Sequence, residues 1–194
     1  MANETDVIKD NIRVWATIGS AVFWAPKGTS LPETPFEDLD EAFSLIGAMT
    51  TDGPSEGLSV ESNDIKIWPG GQTGRTVNTA TDKTFAFTAL EEKPVVTRIF
   101  YGHGDVKVTG TGAQAFAEYE IPESIGTVEG VMVAIFRDGD DALKIRKMEL
   151  VQVSERGDRG NSTEGGEGFE LTVKVIGKDR VMTTQSAYLE VENP

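Results

Sequence analysis

The chain of 194 residues carries 18 Lys and Arg against 32 Asp and Glu, which gives a formal net charge of −14 and suits a single domain. Because it contains no cysteine, disulfides, thiolate metal sites and a cysteine nucleophile are excluded. The acid surplus leaves no basic face for tight binding to DNA or to an anionic membrane. We also expect no export signal and no membrane span, since the longest apolar run, Val131–Phe136, is short.

Two segments open the chain. Residues 11–25 alternate apolar and polar side chains on either side of Gly19-Ser20, which predicts an N-terminal hairpin. Residues 26–54 hold four prolines and a few isolated apolar residues, which predicts a long arm with one helical turn near 40–45. Either the arm folds back over its own domain, or its anchors Leu31, Phe36 and Phe43 pack on another molecule.

A polar hairpin and a helix follow. Residues 55–83 are rich in Thr and charged side chains around a Pro69-Gly70-Gly71 turn, which indicates a long hairpin with two solvated faces. Residues 84–90 alternate cleanly and predict a half-buried strand. Residues 91–101 change to a helical period, with Pro94 in the first turn and Gly102 as the terminating glycine.

The remaining residues, 105–194, are strand-like. We predict strands at 105–109, 113–119, 127–137, 142–153, 168–176 and 182–191, with a hairpin around 137–141. The apolar parity shifts along the fourth of these strands, which predicts a β-bulge at 146–147. Residues 154–167 form a polar Gly-rich and Glu-rich segment, which we expect to be a mobile loop.

No motif in the sequence carries an enzymatic reaction. His103 is the only histidine, and no G-x-S-x-G or phosphate-binding loop occurs. Asp138, Asp140 and Asp141 lack the spacing of a calcium loop. We therefore expect a protein that is not an enzyme and that has no catalytic residue, cofactor or metal ion.

Two blocks of sequence resemble a known family. The segments APKGTSLP at 25–32 and FSLIGAMTTDG at 43–53 are similar to the start of major tail tube proteins of long-tailed, siphovirus-type bacteriophages, especially those of actinobacterial hosts. The likeness continues through DIKIW at 64–68, Arg75, TFAF at 84–87, Glu91 and the helix that ends in Tyr101-Gly102. It covers about half of the chain, from Asn11 to Gly104.

The resemblance implies a mainly β fold, a β-sandwich or small barrel flanked by one α-helix, spanning 1–194 as a single tail tube domain. It implies homo-hexameric rings that stack into a hollow conduit, in which the polar hairpins join into a lumenal β-barrel. The protein would lie in the virion tail after synthesis in the host cytoplasm. Its partners would be further copies of itself, the tape measure protein, the tail terminator and the distal tail protein, with DNA only as transiting cargo and no membrane.

Three sets of candidate residues follow from this scheme. The inter-ring contacts of the stacking arm are expected at Lys27, Leu31, Pro32, Phe36 and Phe43. The lumen-lining candidates on the polar hairpin are Ser59, Glu61, Asp64, Arg75 and Thr79. The inter-subunit charge candidates are Lys144, Arg146 and Lys147.

A second interpretation stays open. An acidic Ig-like binding or virion decoration module would use the loop at 154–167, which contains the adhesion tripeptide Arg156-Gly157-Asp158. A tube protein must assemble with itself, whereas a binding module functions as a monomer, so the oligomeric state distinguishes the two.

Overall fold

The computed structural model describes residues 12–140, 142–159 and 168–190. Within these ranges there are ten strands, two α-helices and one 3-10 helix at Gly112–Gln114, and none of the helices is long and apolar enough to cross a membrane. The elements are β1 Ala21–Pro26, β2 Ser44–Leu45, β3 Ser55–Ile67, β4 Gln72–Ala89, α1 Pro94–Tyr101, β5 Lys107–Thr109, β6 Phe116–Glu118, β7 Glu129–Asp138, β8 Ala142–Arg156, β9 Phe169–Val175, β10 Asp179–Thr183 and α2 Ser186–Leu189.

The fold is mainly β with one helix against the sheet, as the sequence predicts. Eight strands form one antiparallel sheet in the order β2-β1-β7-β8-β9-β4-β3, with β10 also paired to β8. The sheet curls until the chain after β2 meets the end of β4, where Met49 bridges Ala89 and the Thr50 N–H donates to the Thr88 carbonyl. This contact is local, so the single chain does not close a barrel.

The inner face of the curled sheet encloses the main core. Phe85, Met132, Met148 and other buried side chains from β1, β4, β7, β8 and β9 meet there, and α1 covers them with Val96 and Ile99. The helix ends at Gly102, which adopts φ 67° and donates its N–H to the Arg98 carbonyl. The predicted helix and its terminating glycine are thus confirmed.

The arm covers the outer face of the same sheet. Leu31 and Phe43 pack, together with Leu39, against a second buried cluster that contains Leu143 and Ile145 of β8. The buried Lys147 ammonium donates to a carbonyl of the arm, that of Pro32, at 2.6 Å. The arm therefore folds back over its own domain, and 40–45 holds the short strand β2 instead of a helical turn.

The predicted N-terminal hairpin is wrong in its first half. Only Ala21–Pro26 is a strand, whereas residues 12–20 form turns that are held to the end of β7 by Thr17, whose N–H donates to the Arg137 carbonyl. The reason is that β1 already pairs with β7 on one side and β2 on the other. No edge of β1 is left for a preceding strand.

Two predictions for the C-terminal half need correction. The β7–β8 bulge lies at Glu149-Leu150, which oppose the single residue Val131, and not at 146–147. Along β8 the change of apolar parity reflects burial on both faces, since one face meets the core and the other meets the arm. The strand predicted at 182–191 is found at Asp179–Thr183, where it pairs with β8 from Met148 to Lys144; after Thr184, whose N–H donates to the Leu143 carbonyl, the chain leaves the sheet and begins α2 at Ser186.

Gly130 tests the close packing between β1 and β7. A Cβ at this position would lie 2.4 Å from the Trp24 ring and 2.7 Å from the Ala25 carbonyl, and the carbonyl belongs to a paired strand that does not shift easily. We expect Gly130→Ala to lower the free energy of unfolding by about 1–3 kcal/mol in urea denaturation. Gly126→Ala is the control, because no atom lies within 4 Å of its added methyl; equal effects of both variants would contradict this account.

Candidate assembly surface

The polar hairpin extends beyond the body of the protein. Strands β3 and β4 pair with each other from Ser55–Ala86 to Ile67–Gln72, whereas β9 pairs with β4 only from Thr84 to Ala89. Residues 58–83, here called the free ribbon, therefore project by about 30 Å as two strands and a turn. In the described part of the chain no third strand pairs with either edge of the free ribbon, so each edge presents unpaired backbone N–H and C=O groups.

Apolar side chains on the free ribbon are exposed. Leu58, Val60, Ile65 and Ile67 are at least half accessible, and Trp68 at the tip is 92% accessible. An isolated two-stranded ribbon is marginally stable in water. Exposed apolar groups next to unpaired edges indicate a surface that is covered in an assembly.

The lumen-lining candidates do not share one face of the free ribbon. Side chains alternate along β3, so Ser59 and Glu61 point to one side and Asp64 to the other. Arg75 pairs with Ile65 and lies on the side of Glu61. Thr79 sits at a register shift and donates its hydroxyl to the Glu61 carbonyl at 3.3 Å.

The two strands of the hairpin carry opposite charge. Within the free ribbon, residues 58–67 of β3 hold two acids and one lysine, a net charge of −1, while residues 72–83 of β4 hold two bases and one acid, a net charge of +1. The outer edge of β3 is therefore complementary to the outer edge of β4. This asymmetry favours contacts between unlike edges and disfavours β3-to-β3 pairing.

A network of four charges holds the root of the free ribbon. The Arg146 guanidinium donates two hydrogen bonds of 2.9 Å to the Asp179 carboxylate and forms an ion pair of 2.9 Å with Glu56. Lys83 reaches Asp179 at 3.5 Å, and the guanidinium stacks over the Phe85 ring at 5.7 Å. Hydrogen bonding to Asp179 raises the pKa of Arg146 despite its burial.

The carboxyl group of Asp179 is stabilised in its charged form. Burial alone would raise the pKa of Asp179, but the hydrogen bonds and charge of Arg146, with the charge of Lys83, outweigh burial and lower it. Sequence reasoning missed Glu56, Lys83 and Asp179 as a group. Their separation along the chain gives no local signal, and only the alignment of Glu56 with Phe85 across the hairpin connects them.

The inter-subunit charge candidates are engaged inside the chain. Arg146 binds Asp179, and the buried Lys147 binds the Pro32 carbonyl, so both have partners within the chain; pairing of these candidates between subunits stays a prediction. The Lys144 ammonium lies 5.0 Å from the Trp15 ring centroid and 4.9 Å from that of Phe136. Alternation along β8 places the basic residues on both of its faces, and both faces are covered.

The arm candidates divide into residues that pack at least partly on their own domain and residues that are exposed. Leu31 and Phe43 pack on the protein's own sheet, and the Pro32 carbonyl is used by Lys147. Lys27 is exposed and donates to the Glu129 carboxylate at 2.7 Å. Phe36 is 81% accessible, so it is the predicted apolar anchor of the arm that its own domain leaves uncovered.

His103 has a structural environment. The ring is 3% exposed and stacks on Tyr119 at 4.3 Å between centroids. Its Nδ1 lies 2.7 Å from the Gly104 carbonyl and donates to it, and its Nε2 lies 2.8 Å from the Thr97 hydroxyl. Both ring nitrogens are therefore occupied by hydrogen bonds within the protein.

The adhesion tripeptide is not displayed as a unit. The Arg156 side chain donates its Nε–H to the Phe100 carbonyl at 2.6 Å, and burial lowers the pKa of its guanidinium. Most of the loop predicted at 154–167 lies outside the described residues, which resume at Gly168. Within the described ranges no group of three acidic or histidine side chains has the arrangement to hold a metal ion.

Comparison with known proteins gives limited likeness. No family model matches the sequence, and no curated protein matches it. A chain in the virion of a native gene transfer agent particle superimposes with a TM-score of 0.44 at 12% identity, covering 86% of this chain and 99% of that chain. A chain in the tail of an empty gene transfer agent particle gives a TM-score of 0.42 at 13% identity with the same coverage. At these scores the likeness carries no argument about function.

The pH dependence of stability tests the buried pair of Arg146 and Asp179. Because the pKa of Asp179 is lowered in the folded protein, its contribution is complete above the ordinary value of 3.8 and is lost as the pH falls through the lowered pKa. We expect Asp179→Asn to cost about 3 kcal/mol in the free energy of unfolding at pH 7, since Arg146 loses its main partner. The difference from wild type should shrink below about pH 4.

The half-exposed ion pair between Asp82 and Lys174 provides the matched control. Asp82→Asn should cost at most about 1 kcal/mol at pH 7. A difference between wild type and Asp179→Asn that stays constant from neutral to acid pH would contradict the assignment of Asp179 as the ionised partner.

Proposed function

We propose that the protein is the structural subunit of the tail tube of a long-tailed bacteriophage. Six copies would close a ring, and rings would stack into a hollow conduit through which DNA reaches the host. The observation that carries the proposal is the free ribbon, a long polar hairpin with two exposed faces and two unpaired edges. In a monomer the unpaired edges of such a hairpin invite aggregation, whereas in an assembly they pair with neighbouring copies.

Ring closure follows from the two edges of the free ribbon. In a cyclic ring all ribbons point the same way, so β3 of one copy lies antiparallel to β4 of the next. This pairing is heterologous, and every copy uses both of its edges when the ring closes. The net charges of −1 on residues 58–67 and +1 on residues 72–83 favour this contact over pairing of like strands.

The composition suits a DNA conduit. A lumen that bound phosphates tightly would retain the genome, because each basic contact with DNA releases counterions and adds affinity. A subunit with a net charge of −14 repels DNA in transit instead. In this scheme DNA is a passing cargo, and the tape measure protein, the tail terminator and the distal tail protein are the other neighbours of the tube in the virion.

The two faces of the free ribbon give separate predictions for the lumen. Glu61 and Asp64 lie on opposite faces, and only one face of a closed barrel lines its channel. We expect one of the variants Glu61→Lys and Asp64→Lys to slow DNA release from assembled particles, with the other close to wild type. Each variant is the control of the other, because both change the charge by the same amount. Equal rates of DNA release for the two variants would contradict the placement of the free ribbon in the channel wall.

Self-assembly is the decisive test of the proposal. Negative-stain microscopy and mass determination across a concentration series should show rings of six subunits or hollow tubes of wild-type protein. Phe36→Asp should leave the subunit folded, since the ring is 81% accessible, but should yield rings without long tubes because stacking loses its apolar anchor.

Leu31→Asp is the contrasting variant. It places a carboxylate in the cluster beneath the arm and should lower the melting temperature before any assembly step is reached. If Phe36→Asp forms long tubes, the assignment of Phe36 to the contact between stacked rings is wrong. Wild-type protein that stays monomeric even with added tail-initiating complex would overturn the proposed function.

A further inference from the structure

We infer that Glu56, Lys83, Arg146 and Asp179 fix the direction in which the free ribbon leaves the body, and thereby the number of copies that close one ring. We call these four side chains the root quartet. The inference rests on the proposed ring closure, which it deepens by assigning residues to the geometry of the joint.

The root quartet joins two parts of the protein. Arg146 and Asp179 belong to the body strands β8 and β10, are both buried, and bind each other through two hydrogen bonds of 2.9 Å. Glu56 and Lys83 belong to β3 and β4 at the base of the free ribbon and are 49% and 42% accessible. Each of them binds the oppositely charged body residue, Glu56 to Arg146 and Lys83 to Asp179.

The root quartet lies where the free ribbon leaves the body, so it restrains the ribbon at its base. Backbone pairing between β4 and the body ends at Thr84, which pairs with Lys174, and Lys83 is the next residue outward. Beyond this point the free ribbon is joined to the body by its own two continuous strands and by side-chain contacts. Asp82 points to the opposite face and pairs with Lys174, so the base of the ribbon is held by charge on both of its faces.

The direction of the ribbon matters for closure. In a ring, the rotation from one copy to the next must satisfy the contacts between bodies and the pairing between ribbons at the same time. A ribbon that swings at its base satisfies its own pairing over a range of rotations, so rings of several sizes and open arcs become accessible. A ribbon held by the root quartet permits one rotation.

The double variant Glu56→Gln with Lys83→Met tests the inference. It removes the charges of the two half-exposed side chains of the root quartet and leaves the buried pair of Arg146 and Asp179 intact, so the body should fold normally. Arg98→Gln with Asp105→Asn is the matched control, because it also deletes one cation and one anion from an ion pair, 3.0 Å long, that lies away from the ribbon.

The first readout is made on the monomer. Since the chain has no cysteine, spin labels at Ser62→Cys on the free ribbon and Glu149→Cys on the body report a single distance without further changes. In dilute protein we expect a narrow distance distribution for wild type and for the control. The double variant should lose the narrow peak and give a broad distribution. A narrow, unshifted peak in the double variant overturns the inference, whatever the protein assembles into.

The second readout is the ring. Native mass spectrometry should find one ring size for wild type and for the control, and a mixture of sizes or open arcs for the double variant. Unchanged ring size together with a broadened distance would overturn the link between the root quartet and copy number. If wild type forms no rings even with added tail-initiating complex, the proposed function fails, while the label distances still decide whether the root quartet holds the ribbon.

Discussion

Strands β7 and β8 are buried on both faces, and this constraint decides what the other segments are free to do. Helix α1 covers the inner face through Val96 and Ile99, and the arm covers the outer face through Leu31 and Phe43. An apolar sheet in water needs cover on each face. The helix α1 and the arm provide that cover within one chain. The β3–β4 hairpin is the long element left without cover, which is why the proposed assembly uses it.

The charged side chains of this chain occupy two different environments. Arg146 and Lys147 are enclosed by the fold, where they bind Asp179 and the Pro32 carbonyl. A buried cation without a partner is costly, so these two contacts hold the chain together. Glu61 and Arg75 lie on the exposed free ribbon, and the proposed ring uses charges of this kind to match one edge to the next.

The root quartet lies where these two uses of charge meet. Its buried half stabilises the body, and its exposed half continues into the hairpin. This arrangement lets the direction of an extended element be set by the packed domain, even though backbone pairing with the body has already ended at Thr84. A long ribbon amplifies any small rotation at its base, which is why the base is the effective place to control geometry.

Local sequence determined the elements whose pattern depends on neighbours along the chain. The 55–83 hairpin, the alternating strand of Phe85 and Phe87, and the helix ended by Gly102 all follow from periodicity and turn chemistry. Tertiary structure decided which edges and faces were already occupied. That occupancy prevented a hairpin at 11–25 and set Leu31 and Phe43 against their own domain. Pairing between distant strands also placed the bulge at Glu149-Leu150 and brought Glu56 to Arg146. Pairing across many residues depends on competition for partners, and a local pattern does not record that competition.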